Sequence, residues 1–200
     1  FPNNAEVSIS VTVAVGQEGF LGTVLLWNIL YALQNYIEAT EKHRQLMLDA
    51  LDYIWKNPET GYKEWKTHAY LEEPFAKLGY ELTLAGDIPG FTTLIDTGRE
   101  GPTIAVFGEL DSLIVPTHPE ADPETGAVHA CGHHCQCAAL LGLAAALADP
   151  AVLEGLCGTI RLMAVPAEEP IMIRAMVLRA LTDCKSCIFI NGPPCWKYGS

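Results

Sequence analysis

Two stretches of this chain carry side chains of the types that bind transition metals. The first is His129-Ala130-Cys131-Gly132-His133-His134, and the second is the acidic pair Glu168-Glu169, which follows an apolar run and Pro166. Thiolate, imidazole and carboxylate together form the ligand set of a transition-metal site, and a metal held in this way can polarise a carbonyl group and activate water. The two stretches therefore predict a site for metal-dependent hydrolysis.

The pair Glu168-Glu169 can divide two roles between its members. One carboxylate can bind a metal while its neighbour, held off the metal, accepts a proton from water as a general base. Adjacent glutamates often lie in a solvated turn, but these follow an apolar run, where two like charges are costly to bury unless a cation neutralises them. A Cys-Gly-His sequence such as Cys131-Gly132-His133 is, in isolation, more often a buried cysteine beside a histidine that starts a helix.

A second acidic pair lies earlier in the chain, at Glu109-Leu110-Asp111. Alternate residues of an extended segment point the same way, so both carboxylates can face one site. A carboxylate in such a place can orient a metal ligand from behind. Taken alone, the pair is more typical of a strand end or a solvated loop. Only the other candidate residues support a role for it in the site.

The remaining thiols and imidazoles have simpler interpretations. Cys184-Lys185-Ser186-Cys187 has metal or redox spacing, but no second pair completes a zinc site, and we expect inert thiols there. Cys135 and Cys137 are expected to face the core or the wall of the site. A cysteine nucleophile at Cys131 activated by His129 is conceivable, but it leaves the two glutamates unexplained. Three further histidines are predicted to lie at the surface: His43, His68 and His118.

Composition excludes several classes of function. The chain has 200 residues, half of them apolar, and a net charge of -12 that supplies no basic stripe for a nucleic acid. Seven cysteines, an odd number, favour free or metal-bound thiols in a reducing, cytoplasmic setting. The apolar segment Phe20 to Leu33 is shorter than the roughly 20 residues of a membrane helix and has no basic residue before it, so we expect no membrane anchor.

The elements that must position these residues alternate between helix and strand. Apolar residues at helical spacing predict helices, and short apolar runs between glycines and prolines predict strands. An α/β sheet with helices on its faces follows. In such a sheet the acids after each strand lie where ligands bind, and Cys131 and His133 lie in the loop that opens the last helix. The predicted helices are Asn35 to Trp55, Lys66 to Leu78 (kinked or split at Pro74) and Gln136 to Ala148, and the predicted strands are Tyr80 to Leu84, Phe91 to Asp96, Thr103 to Phe107 and Thr159 to Val165.

At these residues the chain resembles the aminoacylase and carboxypeptidase-G type of dinuclear metallopeptidase (peptidase family M20), in its branch of N-acyl amino acid amidohydrolases. The resemblance covers about residues 37–169 and rests on four ordered blocks, which are far more specific than any single motif. The blocks are Asn57-Pro58-Glu59-Thr60-Gly61-Tyr62-Lys63-Glu64, Gly108-Glu109-Leu110-Asp111-Ser112-Leu113, Gly126-Ala127-Val128-His129-Ala130-Cys131-Gly132-His133, and Gly158-Thr159-Ile160-Arg161 leading to Pro166-Ala167-Glu168-Glu169.

The resemblance implies a role for each residue that matches a family motif. Cys131 and His133 would bind metal, Glu169 would be a further ligand, and Glu168 would be the general base. Asp111 would be a supporting carboxylate, with Glu109 as a weaker candidate. The implied cofactors are two divalent ions, zinc or manganese, and the implied reaction is cleavage of the amide bond of an N-acyl amino acid or small peptide-like substrate by metal-activated water.

The chain also departs from the family pattern. His134 stands where many relatives have aspartate, and residues 171–200 do not resemble the family continuation. The resemblance therefore implies an α/β, phosphorylase/hydrolase-like mixed sheet with helices on both faces, truncated at its C-terminal side and without the lid domain, through which complete relatives would form homodimers. We expect an apolar N-terminal segment with no assigned role at 1–34 and the N-terminal part of a metallohydrolase catalytic domain at 35–200, with a divergent tail at 171–200. The alternative function is a non-catalytic remnant that binds metal or a partner.

Overall fold

The computed structural model describes residues 34–167 and the backbone of one further strand at residues 187–190. Predictions for the segment 1–33, the pair Glu168-Glu169, most of the Cys184 to Cys187 motif and the rest of the tail lie outside the described residues. Residues 34–41 are helical. The elements that follow are α1 (Arg44–Lys56), α2 (Trp65–Lys77), β1 (Thr83–Leu84), β2 (Phe91–Asp96), β3 (Thr103–Glu109), β4 (Leu113–Ile114), β5 (Ala127–Val128), α3 (His133–Leu147), α4 (Pro150–Leu153), β6 (Thr159–Val165) and β7 (Cys187–Ile190).

The main sheet is mixed and has the strand order β1-β2-β6-β3-β7. Strands β3, β6 and β7 run parallel, whereas β2 is antiparallel to both of its neighbours. Glu109 pairs with Val165, so β3 and β6 end side by side at their carboxyl ends. The mixed α/β fold predicted from the sequence is thereby confirmed. A separate pair of two-residue strands, β4 and β5, was not predicted.

The core lies between one face of this sheet and helices α1, α2 and α3. Phe91 pairs with Ala164 and Thr93 with Leu162, and because alternate residues share a face, these side chains all point to the helices. Helix α3 is apolar on nearly every side and is the central element, since it packs against β3 and also against α1. The described helices lie on this face, so a second helical face stays a prediction.

The strand bounds follow the sequence pattern where the strand is buried. Strands β2 and β6 begin and end as predicted, because glycine or proline interrupts the apolar run at or near their ends. The first predicted strand, Tyr80 to Leu84, is reduced to the two exposed edge residues of β1. Helix α2 continues through Pro74, although a proline inside a helix removes one backbone hydrogen bond. Burial of Leu71 and Phe75 on either side of Pro74 holds the helix together.

The prediction that His68 lies at the surface is wrong. Its side chain is buried against Phe91, and its Nδ1 accepts a hydrogen bond from the Gly90 amide at 2.8 Å. Its other ring nitrogen lies 3.2 Å from the Glu72 carboxylate. A histidine one helical turn from a glutamate looks solvated in the sequence, and only the packing of α2 on β2 buries it.

Within the described part of the chain, every helix is too short or too polar to cross a membrane.

Candidate functional site

The candidate site lies at the carboxyl end of β3, facing the start of α3. Glu109 is the last residue of β3, and His133 is the first residue of α3. The Leu110 amide donates to the Val165 carbonyl at 2.9 Å, which ties the chain after β3 to the end of β6. Three segments that are distant in sequence therefore meet at one edge of the sheet.

His133 lies between two carboxylates. Its Nε2 is 2.8 Å from Oε2 of Glu109, and its Nδ1 is 3.2 Å from Oδ1 of Asp111 and 2.9 Å from the Asp111 carbonyl oxygen. His133 and Asp111 are buried, and the Glu109 side chain is only 13% exposed. Burial opposes a charge on the imidazole, but hydrogen bonds with Asp111, Cys131 and Glu109 outweigh it and raise the pKa of His133 above its ordinary value.

Cys131 is placed beside His133 by the turn that precedes α3. Its thiol is hydrogen-bonded with the His133 ring, and its sulfur lies 4.0 Å from the Asp111 carbonyl oxygen. Gly132 has a φ of 95°, a left-handed conformation that residues with a Cβ rarely adopt. A Cβ at Gly132 would meet no atom within 4 Å, so the backbone conformation, and not the available space, requires glycine there.

Two more imidazoles lie next to this group. His129 is buried, and neither of its ring nitrogens has a hydrogen-bond partner among the described residues. Burial, with a smaller effect from His134 and His133, lowers the pKa of His129 to about 3. Burial and His133 also lower the pKa of His134, whose ring lies 4.9 Å from that of Trp55. The described contacts include no hydrogen bond between His129 and Cys131, so they give no support to the cysteine-nucleophile alternative.

The neighbouring thiols of α3 differ from each other. Cys137 is buried and donates to the Glu109 carbonyl oxygen at 3.1 Å, and burial raises the pKa of its thiol. It therefore supports the wall of the site, as expected. Cys135 is exposed, and its sulfur lies 3.3 Å from Nε2 of His134.

Glu64 is a site residue to which the sequence analysis gave no role. It is 0% exposed, and its Oε1 accepts a hydrogen bond from the Ala167 amide at 2.8 Å. Burial raises the pKa of Glu64 to about 7. The signal in the sequence was its position at the end of the first family block, but the spacing of that block suggests no chemistry.

The structure thus brings together five of the seven predicted site residues. Glu109, Asp111, Cys131 and His133 share contacts, and His134 is next in the chain. Glu168 and Glu169 lie outside the described residues. Within residues 34–167, no three His, Cys, Asp or Glu side chains are arranged to hold a metal ion.

The chemistry of the described donors fits a divalent ion. The Cys131 thiol and the Glu109 carboxylate each contact the His133 imidazole, and thiol, imidazole and carboxylate form the mixed donor set that zinc and similar ions accept. The second nitrogen of a metal-binding histidine usually meets a carboxylate or a backbone carbonyl, and His133 meets both through Asp111.

Comparison with known proteins identifies relatives of this chain. A scan of protein-family models gives no match. The chain is 36% identical over 122 residues to thermostable carboxypeptidase 2 of Saccharolobus solfataricus, covering 58% of this chain and 30% of the relative. It is 32% identical over 120 residues to N-acetyl-L-cysteine deacetylase of Bacillus subtilis, covering 58% of this chain and 28% of the relative.

The structural comparison agrees with these relatives. The crystal structure of a Bacillus subtilis protein, described as a dinuclear metal binding peptidase from M20 family, superposes with a TM-score of 0.64 at 22% identity. The match covers 77% of this chain and 44% of that one, and it shows a shared fold. The chain spans about 30% of the length of the two sequence relatives. The resemblance predicted from the four blocks is confirmed.

Proposed function

We propose that this chain supplies part of a metal-dependent amidohydrolase site. Its homologues are amidohydrolases and metallopeptidases of the M20 family. The observation that carries this proposal is the convergence of Cys131, His133, the buried Asp111 and the partly buried Glu109 where β3 ends and α3 begins. Ligand sites of α/β sheets lie at this edge.

In the proposed site, Cys131 and His133 bind metal together with Glu169. Asp111 stands behind His133 and holds its Nδ1, which leaves Nε2 as the nitrogen that can bind an ion. Glu109 lies on that Nε2 side and is the weaker candidate for a further ligand or a bridging group. His134 lies beside these residues without a charge at neutral pH, since its pKa is lowered.

Two divalent ions, zinc or manganese, would supply Lewis acidity toward an amide carbonyl and would acidify the attacking water. Glu168 would accept the proton of that water and pass it to the nitrogen of the leaving amine, so that one carboxylate acts as base and then as acid. His133 and Asp111 are themselves buried, and the exclusion of water strengthens the electrostatic interaction between them.

The substrate class we propose is an N-acyl amino acid or a small peptide-like amide. The names of the two sequence relatives support it, because one is a deacetylase of N-acetyl-L-cysteine and the other a carboxypeptidase. We propose a cytoplasmic setting, which the odd number of cysteines and the exposed thiols of Cys135 and Cys157 support.

The test combines metal content with hydrolysis. The purified chain is analysed for zinc and manganese and is assayed on a panel of N-acyl amino acids with and without a chelator. We expect bound metal and chelator-sensitive hydrolysis, and we expect Glu168→Ala to abolish turnover while metal stays bound. Metal-bound but inactive protein would favour the non-catalytic alternative, whereas unchanged turnover in Glu168→Ala would contradict the role of Glu168 as the base.

A further inference from the structure

The first family block forms a loop, residues 57–64, that contacts three other segments. The first of these segments follows the loop directly in sequence: the Glu59 carboxylate accepts hydrogen bonds from the amides of Lys66 and Thr67 and from the Thr67 hydroxyl. These are amides of the first turn of α2, which have no partner inside the helix. The 57–64 loop is therefore fixed to the start of α2.

The same loop is bound to the segment that carries the acidic pair of the site. The Glu59 carbonyl oxygen accepts from the Ser112 amide at 2.8 Å and from the Ser112 hydroxyl at 2.9 Å. Ser112 directly follows Asp111, the residue that holds Nδ1 of His133. The position of the loop and the position of this carboxylate are thus linked through two hydrogen bonds.

The third contact is made by a buried acid. Glu64 closes the loop, and its Oε1 accepts from the Ala167 amide across 103 positions of sequence. Ala167 is itself fully buried and has a φ of 52°, which an L-residue with a Cβ adopts only when its surroundings hold it. The chain turns here, at the end of β6, one residue before Glu168.

The second oxygen of the Glu64 carboxylate does not stabilise the fold. Its Oε2 is buried and accepts no hydrogen bond from the described residues. Burying a carboxylate with one oxygen unsatisfied is costly. An apolar residue would avoid that cost, whereas a glutamine would avoid only the part of it that is due to the charge. The feature that an apolar residue cannot supply is an acceptor that reaches the Ala167 amide.

We propose that Glu64 is a positioning residue, whose carboxylate holds the Ala167 turn and thereby fixes the backbone from which Glu168 and Glu169 continue. The inference rests on the proposed function, because it matters only if those glutamates serve the site. It gives the 57–64 loop a role: the loop binds the chain just beyond β3 through Glu59 and the chain just beyond β6 through Glu64.

Two conservative variants separate the effect of side-chain length at position 64 from the effect of its charge. Glu64→Gln keeps an acceptor of the same length without the charge, whereas Glu64→Asp keeps the charge but is one methylene shorter and cannot reach the Ala167 amide. Glu73→Asp, on an exposed residue of α2, is the matched control for shortening a glutamate. Glu64→Ala completes the series.

The first readout is the hydrogen exchange of the Ala167 amide, measured by NMR on the full chain in chelator. We expect protection to persist in Glu64→Gln and to fall by about tenfold or more in Glu64→Asp and Glu64→Ala. The amides of Leu162 and Ala164 in β6 should stay protected and serve as the internal check on folding. Unchanged protection of Ala167 in Glu64→Asp would overturn the proposal.

The second readout is affinity for zinc, measured by titration of the same variants. Displacement of the backbone that carries Glu169 should weaken zinc binding. We expect a loss of about tenfold, at the lower end of what removal of an outer-shell partner causes, for Glu64→Asp but not for Glu64→Gln or Glu73→Asp. Equal zinc affinity in Glu64→Asp and in the unchanged chain would overturn the inference alone. Absence of zinc binding by the unchanged chain would instead show that the proposed function has failed, and the inference with it.

Discussion

At the scale of single residues, the site depends on charges that are buried in contact with one another. His133 holds a proton more tightly than a free histidine because Glu109 and Asp111 flank it, while His129, a few residues earlier and equally buried, stays neutral. The two histidines differ because only one of them is hydrogen-bonded to carboxylates. The sequence places both in one motif and cannot separate them, since the difference arises from which side chain faces β3.

Glu64 also gives a prediction for the dependence of stability on pH. Its pKa of about 7 in the folded chain lies above the ordinary value of 4.5, so the folded state binds the proton more tightly than the unfolded state. Its contribution to stability is therefore fully present below about pH 4.5 and is lost as pH rises through about 7, a loss on the order of 3 kcal/mol.

Urea unfolding of the chain in chelator at several pH values between 4.5 and 8 checks this expectation. Glu64→Gln, which cannot ionise, should remove the decline that Glu64 contributes, and its stability relative to the unchanged chain should rise with pH. A constant difference between the two proteins across this range would contradict the raised pKa. Glu73→Gln, on the exposed face of α2, controls for the loss of one negative charge.

At the scale of elements, the sequence determines the bounds of buried strands but not their neighbours. Strands β2 and β6 were predicted at their observed bounds, because glycine and proline punctuate their apolar runs. Their antiparallel pairing, across more than sixty residues, could not be predicted, since it depends on how both strands pack against α2 and α3. Strand β7, parallel to β3, was not predicted, because residues 171–200 do not resemble the family continuation.

The packing of α3 on β3 gives the second prediction, at Gly108. A Cβ there would lie 2.9 Å from Cδ2 of Leu140 and 3.4 Å from the Cα of Cys137, both on α3. Because Leu140 is buried, Gly108→Ala has to displace the Leu140 side chain or shift α3, and we expect a loss of about 1–3 kcal/mol in the free energy of unfolding.

Urea unfolding again provides the measurement, with Leu140→Ala as the partner in a double-mutant cycle. Leu140→Ala alone should cost about 2–5 kcal/mol, because it leaves a cavity. With both changes the added methyl group enters that cavity, so the combined loss should be smaller than the sum of the two single losses by about 0.5–3 kcal/mol. Additive losses would mean that Gly108 is not limited by contact with α3.

At the scale of the whole molecule, the site joins segments that are distant in sequence through hydrogen bonds and ion pairs. The 57–64 loop, the end of β3, the start of α3 and the end of β6 all contribute to it or support it. The resemblance identified the four blocks that lie in these segments. Spacing alone could not show that the first block contacts Ser112, after β3, and Ala167, after β6. The predicted domain limits and the homodimer of complete relatives stay predictions.

A metal bound across these segments should stabilise the whole fold. A ligand that binds only the folded state adds about 2.7 kcal/mol at 100 times its Kd, and for a chain of this size that corresponds to a rise of about 5–10 °C in Tm.

The net charge of -12 also attracts cations nonspecifically, so the measurement must separate binding at the site from binding elsewhere on the surface. Two serine variants do this: Cys131→Ser removes a proposed ligand, and Cys157→Ser changes an exposed cysteine. We expect zinc to raise the Tm of the unchanged chain and of Cys157→Ser, with reversal by chelator, but to have little effect on Cys131→Ser. An equal rise in all three proteins, measured by calorimetry at constant ionic strength, would mean that zinc binds elsewhere on the acidic surface and that Cys131 is not a ligand.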